Sequence, residues 1–149
     1  MGYAPTVVRH RGRFLFATND PAIYASSLPL GPFEKIEDFS TVRIAKGPPL
    51  WDKMLFSDDD GRLDLYFGCS AAGGIRGMEV DAVDPMKALS EPVELLTFDL
   101  RKHPWEALGD WNRDTTKGWL EGVWMLKHKD KYYLTYAAAS TEHRTYAMG

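Results

Sequence analysis

Three segments of this chain share one design, and that repetition constrains the fold more than any other feature. They are "APTVVRHRGRFLFATN", "WDKMLFSDDDGRLDLYFG" and "LEGVWMLKHKDKYYLTYA". Each has a short apolar strand, a polar turn carrying Gly or Asp beside Arg or Lys, and a second strand rich in Phe, Tyr and Leu. Between the first two, "AIYASS" and "FEKIEDF" read as further strands joined by "PLGPF"; between the second and third, "GIRGMEVD" and "PVELLTF" take the same part. Several short strands per repeat, with a repeat of about 40 to 50 residues, is the signature of a β-propeller. The periodicity alone also fits a sandwich. The predicted boundaries are a first blade over 1–48, a second over 49–98, a long loop over 99–118, and the start of a third blade over 119–149. Two repeats and part of a third would leave edge strands and an apolar blade face open. The expected fold is therefore all-β, a partial propeller of about two to three blades. Such a chain is expected to be a piece of a larger ring or to complete itself by association.

Composition narrows the function classes. A hydrophobic content of 44% over 149 residues is enough for one packed domain. The charge of -3 arises from 18 Lys and Arg against 21 Asp and Glu spread along the chain, so neither a nucleic-acid nor an anionic-membrane surface is expected. Cys69 is the single cysteine, which removes an intrachain disulfide and any cysteine-rich metal site. The opening "MGYAPTVVRHRG" lacks the apolar core of a signal peptide, and the expected location is cytoplasmic. Aromatic residues reach 13%, with five Trp. They suit strands, and they offer flat faces for ligand stacking.

The surplus in the second interval is "DLRKHPWEALGDWNRDTTKGW". A short helix around 104–108 is expected there, opened by Pro104 and closed by Gly109, within a long connection. Long loops in compact domains are commonly functional, and three Trp argue that this one is ordered.

Two carboxylates stand out. Asp52 and Glu121 both fall just before the first strand of their hairpin, where the first repeat has Ala4. The innermost strand of each propeller blade lines the central channel, so acids at this position from different blades would meet at one mouth. Such a pair can divide into a protonated general acid and an ionised partner. Solvated turn residues explain the spacing equally well. "SDDDGRLD" invites a calcium reading, but with Gly61 in the glycine position the EF-hand ligand places fall on Phe56 and Phe67, so an Asp-Gly hairpin turn is preferred. His10 and His128 are placed in solvated hairpin turns, and His103 and His143 in loops. None of the four has metal-type spacing with another. No phosphate loop, serine-hydrolase elbow or Cys pair is present, and neither metal nor cofactor is expected.

In order along the chain, "APTVV", "YASSLPLGPFEKI", "KMLFSDDDGR", "LYFGCS", "GIRGMEVD", "HPWEALGD" and "LEGVWMLKHKDKYYLTYAAASTEHRTYAMG" resemble the second and third blades of glycoside hydrolase family 43. The resemblance implies a five-bladed β-propeller acting on xylosides and arabinosides by an inverting mechanism. Glu121 stands where the family has its general acid, followed by the same Gly122, with Val123 in place of the usual Pro. Asp52 matches the Asp that tunes the acid and orients substrate, although the usual Asp-Pro is Asp52-Lys53 here. Tyr3-Ala4-Pro5 stands where Trp-Ala-Pro is common. No residue matches the general base, and Glu106, Asp110 and Asp114 of the long loop are poor substitutes. Trp105, Trp111 and Trp119 are then candidates for sugar stacking, and His103 and Arg113 for contacts to hydroxyls. The implied activity is a β-xylosidase or α-L-arabinofuranosidase on a carbohydrate substrate. The chain would form a homo-oligomer or receive its missing blades from another chain. The alternatives are a carbohydrate-binding propeller remnant without catalysis and a protein-binding scaffold.

Overall fold

A computed structural model describes residues 2–38, 50–71 and 74–149. The boundary expected at 48/49 lies outside the described residues. Strands β1 (Thr6–His10), β2 (Arg13–Ala17), β3 (Ala22–Ser26) and β4 (Glu34–Asp38) form one antiparallel four-stranded sheet in sequential order. Strands β5 (Met54–Ser57), β6 (Leu63–Phe67), β7 (Ile75–Val80) and β8 (Val93–Leu96) form a second of the same topology. A third sheet joins β11 (Leu120–His128), β12 (Lys131–Ala138) and β13 (Ala147–Met148). Sequential four-stranded meanders packed face to face are propeller blades, and among the described residues they do not close a ring. The fold is all-β, a partial propeller.

Turn chemistry sets the hairpins. The two-residue connection Arg11-Gly12 between β1 and β2 has φ of 47° and 81°, and Lys129-Asp130 between β11 and β12 has 49° and 59°. Positive φ at both central residues is the turn whose twist matches paired strands. The acidic turn between β5 and β6 closes through Asp58 N–H to the Arg62 carbonyl at 3.0 Å and Gly61 N–H to the Asp58 carbonyl at 3.1 Å, which agrees with the hairpin reading.

The core lies between blades. Leu15, Ala17 and Ile23 of the first sheet meet Leu55, Leu63, Leu65, Phe67, Met78 and Val80 of the second. A second cluster joins Ile75 to Leu120, Val123 and Ala138, with Tyr66, Trp105 and Tyr136 packed against it. On β6 the alternation puts Leu63, Leu65 and Phe67 on the buried face. Each such side chain contributes about 1.5–3 kcal/mol by burial. The first strands of the sheets, β1, β5 and β11, are neighbours and border a groove of about 350 Å³ lined by Val7, Met54, Phe56, Trp124 and Leu126 among others.

Two expectations are corrected. His10 is not a solvated turn residue: it is 2% exposed at the end of β1, with Nδ1 2.8 Å from Ser57 Oγ and Nε2 2.9 Å from the Ala82 carbonyl. The helix expected over 104–108 is only a 3-10 turn, Pro104–Glu106, running straight into β9 (Ala107–Leu108), which pairs with β10 (Asp114–Gly118). The cause is Glu106. Its buried carboxylate accepts the Asp99 N–H at 3.0 Å and the Tyr136 hydroxyl at 2.6 Å, which pins the chain before a second helical turn can form. No helix among the described residues is long and apolar enough to cross a membrane.

Candidate active site

Asp52 sits two residues before β5, and Glu121 is the second residue of β11. Asp52 has φ of 53°, a conformation in which its side chain and its amide both engage Asn19. The Asp52 N–H donates to Asn19 Oδ1 at 2.6 Å, and Asn19 Nδ2 donates back to Asp52 Oδ1 at 3.0 Å. Asn19 is itself held by its N–H on the Tyr3 carbonyl at 2.9 Å. A first-sheet loop thus orients an acid that belongs to the second sheet.

Glu121 lies at a β-bulge. Glu121 pairs with Ala137 and Trp124 with Thr135, so β11 carries one extra residue between them, and Gly122 adopts φ of 61°. The bulge takes the Gly122 N–H out of the ladder and delivers it to Asp52 Oδ2 at 3.0 Å. Two blades are joined there by one hydrogen bond from backbone to carboxylate. Glu121 thus stands beside a left-handed glycine at a bulge, with its carboxylate directed at Cys69 and Trp119.

Between the acids stands Cys69. The Gly68 N–H donates to the Trp51 carbonyl at 2.9 Å, and Ser70 and Leu120 exchange backbone hydrogen bonds of 3.1 and 3.4 Å. These contacts bracket Cys69 against both acids. Its Sγ and the carboxylate oxygens of Asp52 and Glu121 all lie within 4.8 Å of one another. The thiol donates to Glu121 Oε2 at 3.3 Å, and the same oxygen accepts the Trp119 indole N–H at 2.8 Å. Burial, then the charge of Asp52, then Glu121 push the Cys69 thiol up to about 12. Tyr146 completes the wall. Burial, then the charge of Glu121 and a hydrogen bond to it, push its phenol up to about 12. Both groups stay protonated at neutral pH.

A family model, glycosyl hydrolases family 43, matches residues 1–149. The chain belongs to this family. It is 28% identical over 121 residues to the β-D-galactofuranosidase xynD of Aspergillus niger, a match covering 80% of this chain and 29% of that protein. Among solved structures it resembles an α-L-arabinofuranosidase of Clostridium thermocellum (TM-score 0.68, 20% identity, 100% of this chain and 47% of that one). An endo-arabinase of Bacteroides thetaiotaomicron has a TM-score of 0.70 at 20% identity, over 100% of this chain and 55% of that one. An endo-1,4-β-xylanase of the same organism has 0.67 at 24%, over 99% and 50%. The chain thus spans less than a third of the curated relative and about half of these solved structures.

The other family 43 candidate positions scatter. Trp119 is half-buried, and its indole N–H donates to Glu121. Trp105 packs on Tyr136 with ring centroids 5.5 Å apart, against the second core cluster. Trp111 is 77% exposed at φ of 63° and borders a pocket of about 170 Å³ with Asp110, Arg144 and Thr145. Arg113 is exposed after that turn, and His103 lies in a different groove of about 290 Å³ with Asp99, Lys102 and Glu106. Lys53, the departure from Asp-Pro, is 1% exposed, and its ammonium donates to the carbonyls of Asp20 at 2.7 Å and Leu50 at 3.1 Å. Among the loop acids, Glu106 is buried and hydrogen-bonded, Asp110 Oδ1 accepts the Arg144 N–H at 3.3 Å, and Asp114 accepts the Thr116 N–H at 3.1 Å. Sequence reasoning missed Asn19, Cys69 and Tyr146. "LYFGCS" is visible as a motif, but nothing in a strand sequence tells which blade the Cys69 side chain after it will face.

Proposed function

We propose that this chain carries the acid side of a glycosidase site acting on xylose- or arabinose-containing oligo- and polysaccharides with inversion. The observation that carries the reading is the convergence of Glu121 and Asp52 from two blades, with Asp52 anchored on the Gly122 amide. Glu121 donates a proton to the glycosidic oxygen as the bond to the anomeric carbon breaks. A water activated on the opposite face supplies the new oxygen.

An inverting acid and base stand roughly 6.5–9.5 Å apart to admit that water. Asp52 and Glu121 are closer than this, and both oxygens of Asp52 already accept hydrogen bonds, from Asn19 and Gly122. Asp52 therefore orients substrate and shapes the field around the acid, and the base comes from a further blade. Uncovered sheet faces support this reading. Val7 is 45% exposed on the first sheet, and Trp124, Leu126 and Tyr133 are 43%, 39% and 45% exposed on the third. A second copy or another chain that covers them also supplies the missing blades. Exposed Trp111 is the stacking platform this reading favours.

The test is hydrolysis of aryl β-xylosides and aryl α-L-arabinofuranosides by the chain and by Glu121→Gln. Turnover reduced by about 10²-fold or more in the Gln protein supports Glu121 as the acid. No turnover in either, with sugar binding unchanged by the substitution, replaces the hydrolase by a carbohydrate-binding remnant.

A further inference from the structure

We propose that Cys69 and Trp119 are positioning residues that hold Oε2 of Glu121 as a hydrogen-bond acceptor and so confine the acid's transferable proton to Oε1. This rests on Glu121 being the general acid.

Of the three groups that hydrogen-bond Glu121, two converge on one oxygen, Trp119 Nε1 at 2.8 Å and Cys69 Sγ at 3.3 Å, while the third, the Tyr146 hydroxyl, can accept as well as donate. An indole N–H has no acceptor capacity, so a proton placed on Oε2 would be directed among groups that only offer hydrogens or offer them better. The carbonyl-type oxygen of a neutral carboxyl accepts two hydrogen bonds, and Oε2 has two donors aimed at it. The proton is thereby assigned to Oε1. When it moves to the glycosidic oxygen, the C–O bonding pair goes to the leaving group, and Glu121 becomes a carboxylate whose Oε2 is already solvated by preplaced donors.

The donors are rigid for identifiable reasons. Trp119 stands two residues before Glu121 and its backbone N–H donates to the Glu106 carbonyl at 3.3 Å, while Cys69 is clamped by the Gly68–Trp51 and Ser70–Leu120 backbone bonds. The raised pKa of the thiol keeps it an S–H donor across the neutral range. As the single cysteine of the chain, it also reports on Glu121 without any need for turnover.

Two readouts test the inference. The first is the rate at which iodoacetamide alkylates Cys69 at pH 9 in the parent chain and in Glu121→Gln, with circular dichroism confirming that both are folded. Removing the carboxylate charge should raise the rate about threefold or more. An equal rate means that the thiol is not seated on Glu121 and overturns the proposal. The second is kcat on aryl glycosides with a poor leaving group and with an activated dinitrophenyl one. Trp119→Phe should lose about tenfold on the poor leaving group and little on the activated one, which needs no proton. Cys69→Ala should show the same split, with Cys69→Ser restoring the donor. Equal losses on both substrates indicate a merely structural role and also overturn the proposal. If the parent chain turns over neither substrate, the hydrolase reading fails and the proton assignment fails with it. The alkylation rates then show whether the carboxylate–thiol contact itself exists.

Discussion

At the residue scale, the candidate site depends on side chains whose partners lie on other blades. Asp52 holds one donor on each oxygen. Asp52→Asn replaces one acceptor by an NH2 that faces a donor, so it should fold, since Asn tolerates positive φ, yet lower kcat by about 10²-fold with little change in KM. Steady-state kinetics on an aryl pentoside check this. His10 gives a stability prediction. Burial lowers its pKa from the ordinary 6.5. Because the folded value is the depressed one, its contribution is complete above about pH 6.5 and is lost as pH falls through the folded value. Thermal melts from pH 7.5 to 5 should show Tm falling below pH 6.5 in the parent, with that component absent in His10→Asn. The acids at 52 and 121 were legible as candidates because both stand at the same place in a repeat. The burial of His10 was not, because its partners Ser57 and Ala82 are remote in sequence.

At the element scale, one bulge decides how the third sheet serves the site. Gly122 at φ of 61° faces open space apart from Ala137 Cβ at 3.7 Å, so Gly122→Ala meets no clash and pays only for left-handed backbone. That costs about 1–2 kcal/mol. It should lower Tm by about 2–4 °C per kcal/mol and reduce activity by more than stability explains, because the amide that Asp52 accepts will shift. Differential scanning calorimetry beside kinetics separates the two effects. The hairpins themselves were readable from Arg-Gly and Lys-Asp turn chemistry. The loop over 99–118 was only half readable: Pro104 marked the start of a turn, but its arrest after three residues comes from Tyr136 and Asp99 binding Glu106.

At the scale of the whole molecule, blades are joined by polar latches as well as by the apolar core. Asp58, in a turn that looks solvated in sequence, is buried between sheets. It accepts hydrogen bonds from Lys127 Nζ at 2.7 Å and from the Tyr132 hydroxyl. The hydrogen bond from Lys127, then that from Tyr132, hold its carboxyl down at about 2. The folded value is again the depressed one, so the latch is fully present above about pH 4 and is lost as pH falls towards 2. Asp58→Asn should lower Tm at pH 7 by about 4–8 °C and flatten the acid limb of the stability curve. Sedimentation velocity is expected to show association that grows with concentration. Val7→Ser with Trp124→Ser should abolish it, both side chains being exposed, and a monodisperse monomer of the parent at all concentrations would count against the oligomer.

Strand order, hairpin turns, the repeat and the identity of the two acids follow from local patterns, since turn residues and alternation act over a few positions. The residues that complete the site, Asn19, Cys69, Trp119 and Tyr146, and the latches at His10 and Asp58, were decided by tertiary structure alone. Their partners lie on other blades or distant loops, or, for Trp119, depend on how the residue between β10 and β11 turns its side chain. A strand sequence says which of its side chains share a face but not what that face meets, and only the packing of one blade on the next supplies the second half of each interaction.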